Sequence, residues 1–315
     1  MSIDTRTASP QRDVAQPTEP VPFLRVSDLS IHLPAGAHRS VHAVKRVDVQ
    51  IGRGERVGIV GESGSGKSVT GRAIAGLLPT NPRVVVNGSV RFDGAEMIGA
   101  PPREWDRIRA HTVGMIFQDP STFLNPTMKI GRQVEEAITG GRRRRRGDHT
   151  QTAVDRYLTL AGLSDPAQVA KRFPYELSGG MRQRVLIAIA IAKQPDLIIA
   201  DEPTTALDAT VQRHVLSTLD ETVTRLGTSL ILISHDFSVV AGMTDRVYVM
   251  YAGRVVESGP TRQVLSAPRH PYTQALLRSV RSLTDDDLDL WSIPPSLRHE
   301  LDVAAMVSGG DDDAA

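Results

Sequence analysis

Eight consecutive residues, Gly61-Glu62-Ser63-Gly64-Ser65-Gly66-Lys67-Ser68, constrain this chain more than any other stretch. Before them runs Arg56-Val57-Gly58-Ile59-Val60, a compact apolar segment of strand character. After them residues 68–78 keep helical spacing and stop before Pro79. Strand, glycine-rich loop and helix in that order fit the pattern G-x-x-x-x-G-K-[ST]. The glycines let backbone N–H groups curl around an anion. A helix starting near Lys67 points the positive end of its dipole at the same place. Lys67 adds a point charge for β- and γ-phosphates, and the Ser68 hydroxyl can bind Mg²⁺. A chance glycine turn would lack both flanks. The stretch therefore reads as a nucleotide-binding loop made by Gly61, Ser63, Gly64, Ser65, Gly66, Lys67, Ser68 and the adjoining Val69.

The rest of the chain has the alternation that such a loop needs. Phe23-Leu24-Arg25-Val26 and Leu29-Ser30-Ile31-His32-Leu33 read as two short strands, and residues 41–51 continue with alternating apolar positions. Val113-Gly114-Met115-Ile116-Phe117, Leu197-Ile198-Ile199-Ala200 and Ser229-Leu230-Ile231-Leu232-Ile233 are unbroken apolar runs of the kind found inside a parallel sheet. Residues 118–193 are mainly helical in pattern, and 211–226 form another helix. Ala252-Gly253 between two strand runs signals a hairpin. The expected fold is α/β with a largely parallel sheet and no internal repeat.

Two further groups carry chemistry. Asp201-Glu202 closes an apolar strand, which places a carboxylate beside the phosphate loop, where it can hold Mg²⁺. Glu202 can then orient or deprotonate water. Without the phosphate loop, two acids after a strand would read as a helix cap. Ser178-Gly179-Gly180-Met181-Arg182-Gln183 opens a helix capped by Ser178. Met181, Val185, Ile189 and Ala192 make its apolar stripe, and the paired glycines leave N–H groups open to an anion.

Ser178-Gly179-Gly180-Met181-Arg182-Gln183 resembles the signature of ATP-binding cassette (ABC) ATPases. Gln118 resembles the Q-loop glutamine, Ala206-Leu207-Asp208 the D-loop and His235 the switch histidine, all in family order. The resemblance spans about residues 23–277. It narrows to the D-type subunit of dipeptide/oligopeptide importers through Met115-Ile116-Phe117-Gln118-Asp119-Pro120, Asp201-Glu202-Pro203-Thr204-Thr205-Ala206-Leu207-Asp208 and His270-Pro271-Tyr272-Thr273.

That resemblance implies a P-loop NTPase cassette with a RecA-like core, an antiparallel β-subdomain and a helical subdomain. It implies a head-to-tail dimer with ATP in the interface. Glu202 would be the base, and His235 would hold the γ-phosphate and water. Ser68, Gln118 and Asp201 would serve Mg²⁺. Gln118, Ser178, Gly179, Gly180, Gln183 and Asp208 would join the phosphate loop around ATP. The implied partners are an F-type ABC ATPase, two permease subunits and an extracellular substrate-binding protein, at the cytoplasmic face of the membrane. The implied activity is ATP-driven import of di- or oligopeptides, with nickel or another small solute as the alternative cargo.

The expected organisation is a disordered tail at 1–22, the ATPase domain at 23–260 with its helical subdomain at about 119–193, a C-terminal extension of the peptide-importer type at 261–280, and an acidic disordered tail at 281–315. The last segment carries nine acids against two bases in a chain whose net charge is only +1, so the remainder is basic. That near-balance argues against a protein that coats nucleic acid. The five arginines at 142–146 lie between Gly141 and Gly147 and read as a solvated loop. Cysteine is absent, so the iron–sulfur cluster of many relatives' C-terminal segments is not expected. No apolar run approaches the roughly 18 residues of a membrane span.

ABC ATPases usually stack an aromatic on adenine, and the early strands offer His32, Leu33 and His42 in that region. A single cassette without sustained heptads speaks against ribosome- or DNA-directed relatives. The presence of Lys67, Glu202 and His235 speaks against a scaffold without activity.

Overall fold

The computed structural model describes residues 22–36, 39–79, 81, 83–140, 148–205 and 207–281. Both expected tails, apart from Pro22 and Arg281, lie outside these residues, as do Ala206 and the arginine run.

The strands are β1 (Leu24–Ala35), β2 (Arg39–Ile51), β3 (Arg56–Val60), β4 (Val85–Phe92), β5 (Ala95–Glu96), β6 (Val113–Ile116), β7 (Leu197–Asp201), β8 (Ser229–Ser234), β9 (Arg246–Tyr251) and β10 (Arg254–Pro260). The helices are α1 (Lys67–Ile74), α2 (Pro102–Arg107), α3 (Pro120–Phe123), α4 (Ile130–Thr139), α5 (Asp148–Leu160), α6 (Pro166–Val169), α7 (Gly179–Ile191), α8 (Ala209–Leu226), α9 (Phe237–Met243), α10 (Thr261–Ser266) and α11 (Pro271–Arg281).

Strands β2-β1-β4-β5 form an antiparallel sheet, and β10-β9-β3-β8-β7-β6 form the central one. In the central sheet only β10 runs antiparallel to its neighbour. Side chains alternate strictly between two cores. Val57, Ile59, Ile199, Ile231 and Ile233 face the antiparallel sheet and α1, whereas Val60, Ile198, Ala200, Leu230 and Leu232 face the helices on the other side. With both faces covered, these strands read as unbroken apolar runs.

Three local expectations are corrected. The two short strands at the N-terminus are one strand, β1, whose pairing with β2 shifts register between Val26 and Leu29. Asp28 sits there at φ 52°, and this irregularity broke the apolar alternation. Helix α1 begins at Lys67 and ends at Ile74 rather than running to residue 78; Leu77 N–H bonds back to Arg72 O in the closing turn. Helix α7 has no single apolar stripe: Val185, Leu186, Ile187, Ala188, Ala190 and Ile191 are all buried, because α4, α5, α8 and β6 surround it.

The strand order decides where the chemistry lies. β8 stands between β3 and β7, and β6 lies beyond β7, with these four strands parallel. Their C-terminal ends therefore deliver Gly61, Gln118, Asp201 and His235 to one edge of the sheet, the edge where open α/β sheets bind ligands.

Candidate functional site

The phosphate loop is shaped by contacts that exclude side chains. A Cβ on Gly61 would lie 2.1 Å from Met250 O, and one on Gly66 would lie 2.5 Å from Ala43 O. Gly66 also has φ 98° and caps α1. Lys67 lies inside the loop, 4% exposed, its Nζ donating to Gly61 O and Glu62 O at 2.8 Å each. Burial lowers the Lys67 pKa, and the charges of Glu202, Asp201 and Glu62 oppose that shift. Ser65 is buried, and its Oγ has no hydrogen-bond partner among the described residues. An orphaned hydroxyl beside a buried ammonium, in a loop of glycine backbone, suits a phosphate group.

Ser68 Oγ donates to Asp201 Oδ1 at 2.6 Å. Asp201 is 2% exposed; burial raises its pKa, and the Ser68 hydrogen bond, Arg72 and Lys67 work against the rise. Arg72 Nη2 approaches its other oxygen at 3.9 Å. This hydroxyl–carboxylate pair offers hard oxygen donors of the kind Mg²⁺ takes.

Glu202 has φ 46°, a left-handed backbone that a side chain adopts at a cost. Its N–H donates to Ile233 O at 3.0 Å, so β8 holds it there. The carboxylate accepts from Gln118 Nε2 at 3.1 Å and Thr205 Oγ1 at 2.9 Å, and His235 Nδ1 lies 3.5 Å from its other oxygen. Lys67, Ser68, Gln118, Asp201, Glu202 and His235 thus form one constellation. Thr205 and Arg72 belong to it too. A threonine and an arginine one turn from candidate site residues gave no separate sequence signal.

The remaining candidates are placed differently. Ser178 caps α7, accepting from Met181 N–H at 3.3 Å, and Ser178 and Gly179 are exposed. Gly180 is buried, and a Cβ there would lie 2.4 Å from Val211 Cγ1. Close helix packing therefore explains the second glycine, in addition to open backbone N–H groups. Gln183 is 1% exposed and donates to Phe117 O at 3.2 Å, tying α7 to the strand that carries Gln118. Asp208 caps α8 through Thr210 and Val211 N–H. Val69 is half-buried against the core below the antiparallel sheet. His32 and His42 stack on each other with ring centroids 3.9 Å apart.

A phosphate loop and a strand-end Asp-Glu pair on a RecA-like sheet, beside an antiparallel sheet and a helical subdomain, define an ATPase cassette. The ABC transporter family matches residues 44–205, and the oligopeptide/dipeptide transporter C-terminal region matches 256–305. Among curated relatives, the oligopeptide transport ATP-binding protein OppD of Bacillus subtilis is 43% identical over 86% of this chain and 76% of its own length. The probable D,D-dipeptide transport ATP-binding protein DdpD of Escherichia coli is 48% identical over 82% of this chain and 78% of its own. Among solved structures, the ATP-binding cassette MJ0796, dimeric in a post-hydrolysis state bound to ADP and Pi, superposes with a TM-score of 0.66 at 29% identity, covering 76% of this chain and 99% of that one. This chain belongs to the ABC transporter family, as one of its nucleotide-binding ATPases.

Proposed function

We propose that the chain is the ATP-hydrolysing subunit of an importer of oligopeptides or dipeptides. Its carrying observation is the constellation at the C-terminal edge of the central sheet, where Lys67 bonds the loop backbone, Ser68 bonds Asp201, and Gln118 and His235 flank the Glu202 carboxylate. The peptide cargo rests on relatives named for oligopeptide and dipeptide transport. Nickel is not favoured.

Each residue has a task in this reading. The Gly61–Lys67 backbone and Nζ bind the phosphates, with Ser63, Ser65 and Val69 completing the loop. Ser68, Asp201 and Gln118 would hold Mg²⁺, which would supply positive charge to offset that of the phosphates. Glu202 takes the proton of the attacking water, and His235 orients that water and the γ-phosphate. Ser178 and Gly179, exposed at the start of α7, serve the site of a second cassette, with Gly180 and Asp208 shaping that contact. The second cassette is an F-type ATPase, and two permeases and an extracellular binding protein complete the assembly at the cytoplasmic face of the membrane. No helix among the described residues is long and apolar enough to cross a membrane.

Asp201→Asn separates stability from function. The folded carboxyl has a pKa raised chiefly by burial, so the folded state binds more protons than the unfolded one between the two values. Stability therefore falls as pH rises through that window, and above it the full cost of an ionised buried carboxylate remains. Asparagine still accepts the Ser68 hydroxyl. At pH 7.5 the variant is expected to melt at the same temperature or higher, with the difference shrinking towards pH 4. Loss of the Mg²⁺ ligand lowers hydrolysis by about 10²-fold or more. A lower melting temperature across the whole range would refute the buried-charge account.

The assignment is tested by reconstituting the chain with its permeases and second ATPase in liposomes. Binding protein loaded with a defined oligopeptide should raise ATP hydrolysis and carry the peptide across the bilayer. Stimulation by nickel but by no peptide would overturn the cargo.

A further inference from the structure

Helix α11 lies after the last strand of the sheet, yet it touches the phosphate loop. Tyr272 is fully buried, and its hydroxyl accepts the N–H of Glu62 at 2.9 Å, across 210 positions of sequence. That N–H belongs to the peptide joining Gly61 to Glu62. The carbonyl of the same peptide is Gly61 O, which accepts Lys67 Nζ at 2.8 Å. A trans peptide is planar, with N–H and C=O pointing opposite ways. A hydroxyl that fixes the N–H direction therefore also fixes the carbonyl that holds the lysine.

The anchorage of Tyr272 is itself built. Glu257 of β10 accepts the N–H groups of Arg269 and His270 at 2.8 and 3.1 Å, which fixes the approach to α11. His270 Nδ1 accepts Tyr272 N–H at 3.1 Å. Burial lowers the His270 pKa against the pull of Glu257, which favours the neutral ring that can accept. The Tyr272 ring packs on Tyr251 with centroids 4.5 Å apart. Just beyond Tyr251, Gly253 N–H donates to Ser65 O at 3.1 Å. The phosphate loop is thus gripped twice from the C-terminal part of the chain, once at each end.

We propose that Tyr272 is a positioning residue for the ATPase, holding the Gly61–Glu62 peptide in the orientation that aims Lys67 at the nucleotide phosphates. The inference rests on the loop being the ATP site. It makes α11, inside the segment matched by the peptide-transporter C-terminal family, a handle on ATP affinity.

Tyr272→Phe keeps the ring against Tyr251 and removes the acceptor. Three readings are taken: binding of a fluorescent ATP analogue to the full chain, KM and kcat for ATP in the reconstituted transporter, and amide hydrogen exchange of the phosphate-loop peptide. The variant is expected to bind the analogue about 5–10-fold more weakly and to raise KM by the same factor, the loss of one buried hydrogen bond. Its kcat should stay within about twofold. Exchange at Glu62 should quicken while the rest of the core is unchanged. Unaltered affinity and exchange in a folded variant would overturn the inference. So would kcat and binding capacity falling together with the folded fraction at constant KM, which is what a packing role produces. If the phenylalanine variant folds poorly, 4-aminophenylalanine at position 272 retains the ring and puts a much weaker acceptor in place of the hydroxyl. KM should again rise, and an unchanged KM would overturn the proposal. A wild-type chain that binds no nucleotide would instead remove the ATP-site reading on which the inference stands.

Discussion

Replacing Glu202 by Gln is expected to leave ATP binding intact and to slow hydrolysis by about 10²–10⁴-fold, the usual loss when a catalytic base is removed. Glutamine has the same shape, so the left-handed backbone at 202 and the hydrogen bond from Thr205 survive. What is lost is a proton acceptor held by Gln118, Thr205 and His235 one residue beyond the Asp201–Ser68 pair. The γ-phosphate would still be bound, because Lys67 and the loop backbone are unaltered. Phosphate release by the reconstituted transporter, read beside nucleotide occupancy, checks both halves. Turnover within a few-fold of wild type would assign the base elsewhere.

Alone in solution the chain is expected to bind ATP yet hydrolyse it at least about 10²-fold more slowly than the full assembly, since losing even one well-placed donor to a transition-state anion costs that much. The geometry behind this is the strand order. Helix α7 packs on β6, at the edge of the sheet, while the phosphate loop leaves β3, with β7 and β8 between them. Arg182 and Gln183 of α7 bond Pro174 O and Phe117 O, which keep the helix start on its own side. The exposed Ser178 and Gly179 are then available to another cassette's nucleotide. Turnover should rise with chain concentration and rise much further with the second ATPase and permeases. A concentration-independent rate equal to that of the assembly would sink the shared site.

Much of this protein is written in short stretches of its sequence, for a physical reason. A phosphate loop is a local object: its glycines, its lysine and the helix start lie within eight residues, and their backbone geometry follows from residue type. The buried parallel strands are equally plain, since burial on both faces demands an unbroken apolar run. The hairpin at Ala252-Gly253 belongs here too; both residues have positive φ, at 47° and 86°.

What sequence order could not supply is which distant groups meet. Gly180 offers an open amide in the sequence, and only the fold adds that Val211 on another helix forbids a side chain there. β1 looked like two strands because the register shift between Val26 and Leu29 interrupts its period. The left-handed turn at Glu202 has no glycine to announce it; β8 imposes it through Ile233 O. The Tyr272 hydroxyl finds Glu62 only because α11 packs into the core on the helical side of the central sheet. Each of these depends on a contact between segments far apart in the chain, whose energy appears only once both are packed. Local chemistry named the nucleotide loop and its acids, whereas tertiary packing set their aim.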